Sequence, residues 1–321
     1  MTGFLKILLL LCAVSKQNAS EVEENCKIHL EALSKPPSLR SSSHRACGIR
    51  NCQLGSDCDK EGVVKYRSHI WEFPWTVAVL KSGNYSFVGT LIHPRVVLTA
   101  AHRVENGETY TVRAGEWNIK STNWTQKHQE IEVQRVIKHP AFRMDNFQND
   151  VALLILEQWF KLDDYINVIC LPEHEAYPPP KSQCYANGWG KDGFADLELF
   201  NGIMKRIPLH TVNYSSCQDS LRNSNSRSEF SMSKSILCAE GEVAFNVFHG
   251  DGGGPLACPF GNPQENRYQL TGILISLVRC NSDWTVVTAN VAWVRNWIDQ
   301  EITAIGFDKS YYSAGSSLLT N

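Results

Sequence analysis

Three short stretches of this chain carry residues that could do chemistry together. Leu98-Thr99-Ala100-Ala101-His102 ends on a histidine, Asn149-Asp150-Val151-Ala152-Leu153-Leu154 opens with an aspartate, and His249-Gly250-Asp251-Gly252-Gly253-Gly254-Pro255 is a glycine-rich turn. A histidine held in one tautomer by a buried aspartate can take the proton from a hydroxyl as that hydroxyl attacks a carbonyl. The turn has no serine beside Gly252, and glycine has no side-chain atom to attack with. Each piece also has a plain reading: a lone histidine is usually structural, a lone aspartate a solvated turn residue, and a Gly/Asp/Pro cluster an ordinary turn. Their order and combination are what carry weight.

The remaining polar candidates are cysteines. Cys26, Cys47, Cys52 and Cys58 precede the first apolar runs, but no paired histidines or second Cys-x-x-Cys accompany them, so disulfides are expected rather than zinc, and no metal or cofactor is. Lys6 and the apolar run 7–14, followed by small residues, predict a secretory signal peptide over 1–19, too short to span a bilayer. That places the protein outside the cell, where disulfides persist; Cys12 leaves with the signal and ten of the 11 cysteines remain. Secretion also makes the sequons at Asn84, Asn123 and Asn213 glycosylation candidates. A formal net charge of -2 without a long run of one sign excludes nucleic acid and anionic membrane surfaces as expected partners. With 43% apolar and 20% charged residues among 321, the chain has the profile of a soluble globular protein with a proper core.

The elements that must position these residues are mostly short strands. Residues 20–62 read as a cysteine-containing leader, with a Ser/Pro-rich linker at 34–43. From 63 to 306 the β-branched and apolar runs 76–80, 87–92, 96–99, 109–113, 131–137, 151–156, 269–278 and 285–291 are broken by turns, which argues for an antiparallel barrel or sandwich. Val294, Ile298, Ile302 and Ile305 recur at helical spacing and predict an amphipathic helix over 293–305, and 307–321 reads as a loose polar tail.

Taken together, the three stretches resemble the trypsin/chymotrypsin family of serine proteases, in that family's order of histidine, aspartate and nucleophile turn. Glu72-Phe73-Pro74-Trp75, Ile169-Cys170-Leu171-Pro172 and Asn187-Gly188-Trp189-Gly190 resemble it too. Arg113-Ala114-Gly115-Glu116-Trp117, Met204-Lys205-Arg206-Ile207-Pro208-Leu209 and the Gly-Asp-Gly-Gly turn are similar to the insect serine protease homologues of the prophenoloxidase-activating cofactor type. The resemblance implies an all-β fold of two six-stranded antiparallel barrels (trypsin-like) with a C-terminal helix. It implies His102 and Asp150 at the catalytic pair's positions, Gly252 in place of the nucleophilic serine, Gly250 and Gly252 at the oxyanion hole, and Asn246 and Ser276 at the specificity pocket. It further implies disulfides Cys184–Cys258, Cys217–Cys238 and Cys47–Cys170, leaving the pairing of Cys26, Cys52, Cys58 and Cys280 open.

The departures from the family decide what function to expect. The family's histidine-loop bridge would join Val88 and Arg103, so both cysteines are gone, and Phe248 replaces one partner of the nucleophile-loop bridge. Gly62-Val63-Val64-Lys65-Tyr66 lacks the Ile-Val-Gly-Gly terminus that pairs with the aspartate before the nucleophile once the chain is cut, so Asp251 is expected to lack its partner. Ile275-Ser276-Leu277 stands where the family lines its substrate with Ser-Trp-Gly, and only four cysteines precede the domain once the signal is removed, too few for a six-cysteine clip module. The expectation is a secreted, catalytically inactive homologue that binds other secreted proteins, as cofactor, decoy or scaffold for the proteases or prophenoloxidase of an extracellular cascade. The alternatives are a reproductive-fluid or adhesive binding protein of the same fold, or an atypical endopeptidase working through His102 and water.

Overall fold

The computed structural model describes residues 46–51, 66–120, 128–190, 202–225, 231–241, 247, 250–280 and 283–314. The expected signal peptide, most of the leader, Cys26, Cys52, Cys58, Asn123 and Asn246 lie outside the described residues.

Twelve strands close into two six-stranded barrels. The first is built from β1 (Thr76–Lys81), β2 (Asn84–His93), β3 (Val96–Thr99), β4 (Tyr110–Ala114), β5 (Gln129–Lys138) and β6 (Ala152–Leu156), in the order β1-β2-β3-β6-β5-β4. The second is built from β7 (Gln183–Gly188), β8 (Lys205–Thr211), β9 (Ile236–Glu240), β10 (Pro255–Pro259), β11 (Tyr268–Cys280) and β12 (Asp283–Asn290), in the order β10-β11-β12-β9-β8-β7. Closure removes the free edges that an open sheet would expose. Two α-helices complete the described elements, α1 (Tyr214–Asn225) between β8 and β9, and α2 (Val291–Ala304) after β12.

Burial along the strands follows the side-chain period. On β4 and β8 buried residues alternate with more exposed ones, as in strands covered on one face. On β3 and β6 every residue is buried, because one face fills the barrel and the other packs against the rest of the molecule. Val77, Val79, Leu91 and Leu154 fill the first barrel, and Ala186, Ile207, Leu256 and Val286 the second. A third cluster, with Phe73, Trp75, Leu98, Leu153, Tyr185 and Ile273, joins the two barrels and takes in Val294, Ile298 and Ile302 of α2. Asn290 caps α2, its side chain accepting a hydrogen bond from the Trp293 amide.

The segments flanking the barrels are tied down more firmly than the sequence suggests. Cys47 is bonded to Cys170, and Arg50 is buried under the Tyr185 ring, with its guanidinium 2.5 and 2.8 Å from Glu72 Oε1. Past Phe307 the expected loose tail is corrected: through Ala314 the chain packs, because its aromatic residues have apolar partners. Tyr312 is fully buried and donates to Asp299 Oδ1 at 2.8 Å, and Phe307 stacks flat on His93 at 4.8 Å.

His93 is enclosed by Trp159, Phe307 and Tyr311, and burial pulls its pKa down to about 3, with Asp308 opposing and Arg95 reinforcing the shift. The neutral imidazole is therefore the folded form, while the unfolded chain takes up a proton below about pH 6.5. Its contribution to stability is complete above that pH and is lost as the pH falls toward 3. In urea titrations at pH 7 and pH 4.5, His93→Leu is expected to lose less stability between the two than the parent, by about 2–3 kcal/mol.

Candidate functional site

His102 and Asp150 meet because their strands are neighbours. β3 pairs with β6, with Thr99 opposite Ala152, so the turn after β3 and the residues leading into β6 lie side by side. The turn is a short 3-10 helix, Ala101–Arg103, that starts from buried Ala100 and carries His102. Asp150 has no exposed surface and accepts twice from His102: Oδ1 from the backbone amide at 2.8 Å, Oδ2 from ring Nδ1 at 2.6 Å. With Asp150 ionised, that second bond keeps a proton on Nδ1 and leaves Nε2 as the acceptor of the neutral ring. The Phe147 ring lies edge-on to the imidazole at 5.5 Å, and Phe147 and Asn149 both take positive φ, 55° and 50°. Asn149 is anchored by its amide donating to Ser235 Oγ at 3.0 Å.

The glycine turn at 250–255 is wedged between the barrels and leads into β10. Its glycines are close-approach residues: a Cβ on Gly253, where φ is 84°, would lie 2.1 Å from Thr99 Oγ1 and 2.4 Å from the Val88 carbonyl. The Gly252 carbonyl accepts from the Val88 amide of the first barrel at 3.2 Å, and the Gly253 amide donates to Leu274 of the second at 2.8 Å. Tyr85 Oη donates to the Gly250 carbonyl at 2.5 Å.

Asp251 is not without a partner, contrary to the sequence expectation. Its carboxylate is 2% exposed; Oδ1 accepts from the Gly190 amide at 2.8 Å, and Oδ2 forms a buried ion pair with the ammonium of Lys205. Lys205 is the first residue of β8 and is itself 1% exposed. The absence of the usual apolar terminus says nothing about a lysine arriving from a strand, and that is why the expectation failed. The signal was present in Met204-Lys205-Arg206, where a lysine opens an apolar strand.

Gly252 faces Arg103. A Cβ at Gly252 would stand 3.2 Å from Arg103 Cδ and 3.6 Å from its Cγ and Nε. The Gly252 backbone does not have the positive φ of Gly250 or Gly253, so it is the neighbouring side chain rather than the backbone that resists an added one. Arg103 is held in place by its guanidinium donating to the Ser86 carbonyl at 2.8 Å and lying over the Phe87 ring.

Ser276 is exposed on β11 just past a register shift, while Ile275 is buried. Cys184–Cys258 joins β7 to β10, and Cys217–Cys238 joins α1 to β9. Asn84 and Asn213 are both exposed, and Asn213 Oδ1 accepts from the Ser216 amide at 2.8 Å at the start of α1.

The family model described as Trypsin matches residues 63–298. Phenoloxidase-activating factor 2 of Galleria mellonella is 34% identical, the match covering 88% of this chain and 97% of that protein. Inactive CLIP domain-containing serine protease A28 of Anopheles gambiae is 31% identical over 94% of this chain and 80% of its own. The dog chymotrypsin-like elastase family member 1 is 30% identical over 74% of this chain and 91% of its own.

The packing of Arg103 on Gly252 predicts a coupling measurable by a double-mutant cycle in urea. Gly252→Ser should cost about 1 kcal/mol in the parent through overpacking, and near zero in an Arg103→Ala background.

Proposed function

Because this chain belongs to the trypsin family, we propose that it is a secreted, catalytically inactive homologue that works by binding other secreted proteins, as cofactor, decoy or scaffold in an extracellular protease cascade. One observation carries the reading. The His102–Asp150 pair and the glycine turn are both built, yet Gly252, at the place that resemblance assigns to the nucleophile, offers only a hydrogen. In a serine hydrolase of another fold, loss of the nucleophile costs about 2 × 10⁶ in kcat, which leaves only the residual rate of binding and backbone donors. Similarity to a phenoloxidase-activating factor and to inactive CLIP-domain homologues supports a role among cascade proteins, and makes the cascade's proteases and prophenoloxidase the partners to try first. The exposed sequons at Asn84 and Asn213 suit a secreted glycoprotein; at Asn213 the side-chain oxygen that meets Ser216 stays available when a glycan is carried on nitrogen.

The test is chemical. Purified glycosylated protein offered a panel of peptide esters and a fluorophosphonate probe should show neither turnover nor covalent label, and crosslinking in haemolymph should capture cascade proteins. Turnover that survives purification and disappears in His102→Ala would overturn the proposal. Gly252→Ser alone should also remain without amidase activity, since Arg103 covers the restored side chain and Ile275 replaces the serine of the substrate strand. Robust amidase activity in that single variant, measured with a chromogenic peptide anilide, would show the cleft to be competent.

A further inference from the structure

We infer that Lys205 is the positioning residue of the glycine turn, and that it sets the turn in the uncut chain, so that cutting the leader neither forms nor alters it. The inference deepens the proposed function, since it concerns how the turn of the inactive site is held, and it rests on that reading only for the assignment of Gly252 to the nucleophile's place.

Asp251 is the second residue of the turn, and its Oδ1 and Oδ2 are met by the Gly190 amide and the Lys205 ammonium. Lys205 reaches it because β8 runs beside β7, with Lys205 opposite Gly188. A side chain at Gly188 would block the approach, its Cβ falling 2.4 Å from Asp251 Oδ1. The lysine's strand is gripped on its other side by the chain entering the domain: the Ser68 amide donates to the Met204 carbonyl at 2.9 Å, and the Arg206 amide to the Tyr66 carbonyl at 2.7 Å. The stem of Lys205 is thus fixed by hydrogen bonds to its immediate neighbours, and its charge by the carboxylate.

Any second cation brought to Asp251, such as an α-ammonium released by a cut upstream of Tyr66, would have to displace an ammonium that is 1% exposed. Separating two charges that are both buried is costly, because each was desolvated to make the pair. The internal pair therefore keeps the site, and the turn has the same shape before and after the cut.

The experiment uses the full-length secreted chain, labelled with ¹⁵N-glycine and carrying an inserted site for a sequence-specific protease between Cys58 and Asp59. The amide signals of Gly250, Gly252 and Gly253, and the Tm, should be unchanged by the cut. Lys205→Met should move those signals and lower Tm by about 10 °C. The double variant Lys205→Met/Asp251→Asn should recover both, because it removes the charge on each side and keeps an oxygen for the Gly190 amide. Turn signals that shift on cutting the parent chain, or that stay in place in Lys205→Met, would overturn the inference. If Lys205→Met does not fold, the cut of the parent and the double variant still decide. These readouts report the turn alone, so an unmoved turn together with failed partner capture would sink the binding proposal and leave this inference standing.

Discussion

A carboxylate that is 2% exposed must be given a cation and hydrogen-bond donors in place of water, and the way this chain meets that demand at Asp251 governs the middle of the molecule. The cation comes from β8 and one donor from Gly190, so β8 and the loop leaving β7 are pinned to the turn that precedes β10. Once Asp251 is fixed, the glycines around it have no freedom left. Gly254 would place a Cβ 2.7 Å from the Asn187 carbonyl, and Gly250 would place one 2.9 Å from Gly190 Cα. The turn holds the barrels together by backbone, through Val88 on one side and Leu274 on the other. The turn's backbone is held by the Asp251–Lys205 pair together with hydrogen bonds involving Gly190, Val88, Leu274 and Tyr85.

Val88 and Arg103 show how the first barrel packs around that turn. Val88 is fully buried against the turn, and the Arg103 stem lies along Gly252 with its guanidinium tied to Ser86. This packing is not without cost, since Arg103 Nε is buried without a partner among the described residues. It makes Arg103 and Gly252 a matched pair: the arginine can lie there because no side chain projects from the turn, and it would resist one if it did.

The sequence made the fold legible wherever burial imposed a clean apolar run. β3 and β6, continuous in Val96-Val97-Leu98 and Ala152-Leu153-Leu154-Ile155-Leu156, are read directly, as is the helical stripe of α2. The strands of the second barrel next to the turn are not. β8 contains Pro208 and opens with Lys205-Arg206, β7 ends in Ala-Asn-Gly, and β10 begins and ends with proline, so propensity argues against each. They are strands because their neighbours in a closed barrel supply the pairing, and such a tertiary cause leaves little local trace. The same holds for the site. His102, Asp150 and the turn stand out by motif, whereas Lys205 and Arg103 are ordinary surface-type residues until the fold buries the lysine and lays the arginine along Gly252. The packing of Phe307 and Tyr312 was hidden for a related reason, because isolated aromatics among polar residues show no period.

The survival of the His102–Asp150 pair needs no catalytic explanation. Asp150 has no exposed surface, and His102 supplies both the amide and the ring nitrogen that meet its two oxygens. A substitution at His102 that removed the ring would leave a buried carboxylate with the backbone amide alone, a change of the kind that costs about 3–5 kcal/mol when a buried charge loses its partner. Selection for a folded chain is therefore enough to hold the pair, as it is enough to hold Lys205 against Asp251. The two buried aspartates sit on opposite barrels, and each is met by hydrogen-bond donors from within the domain.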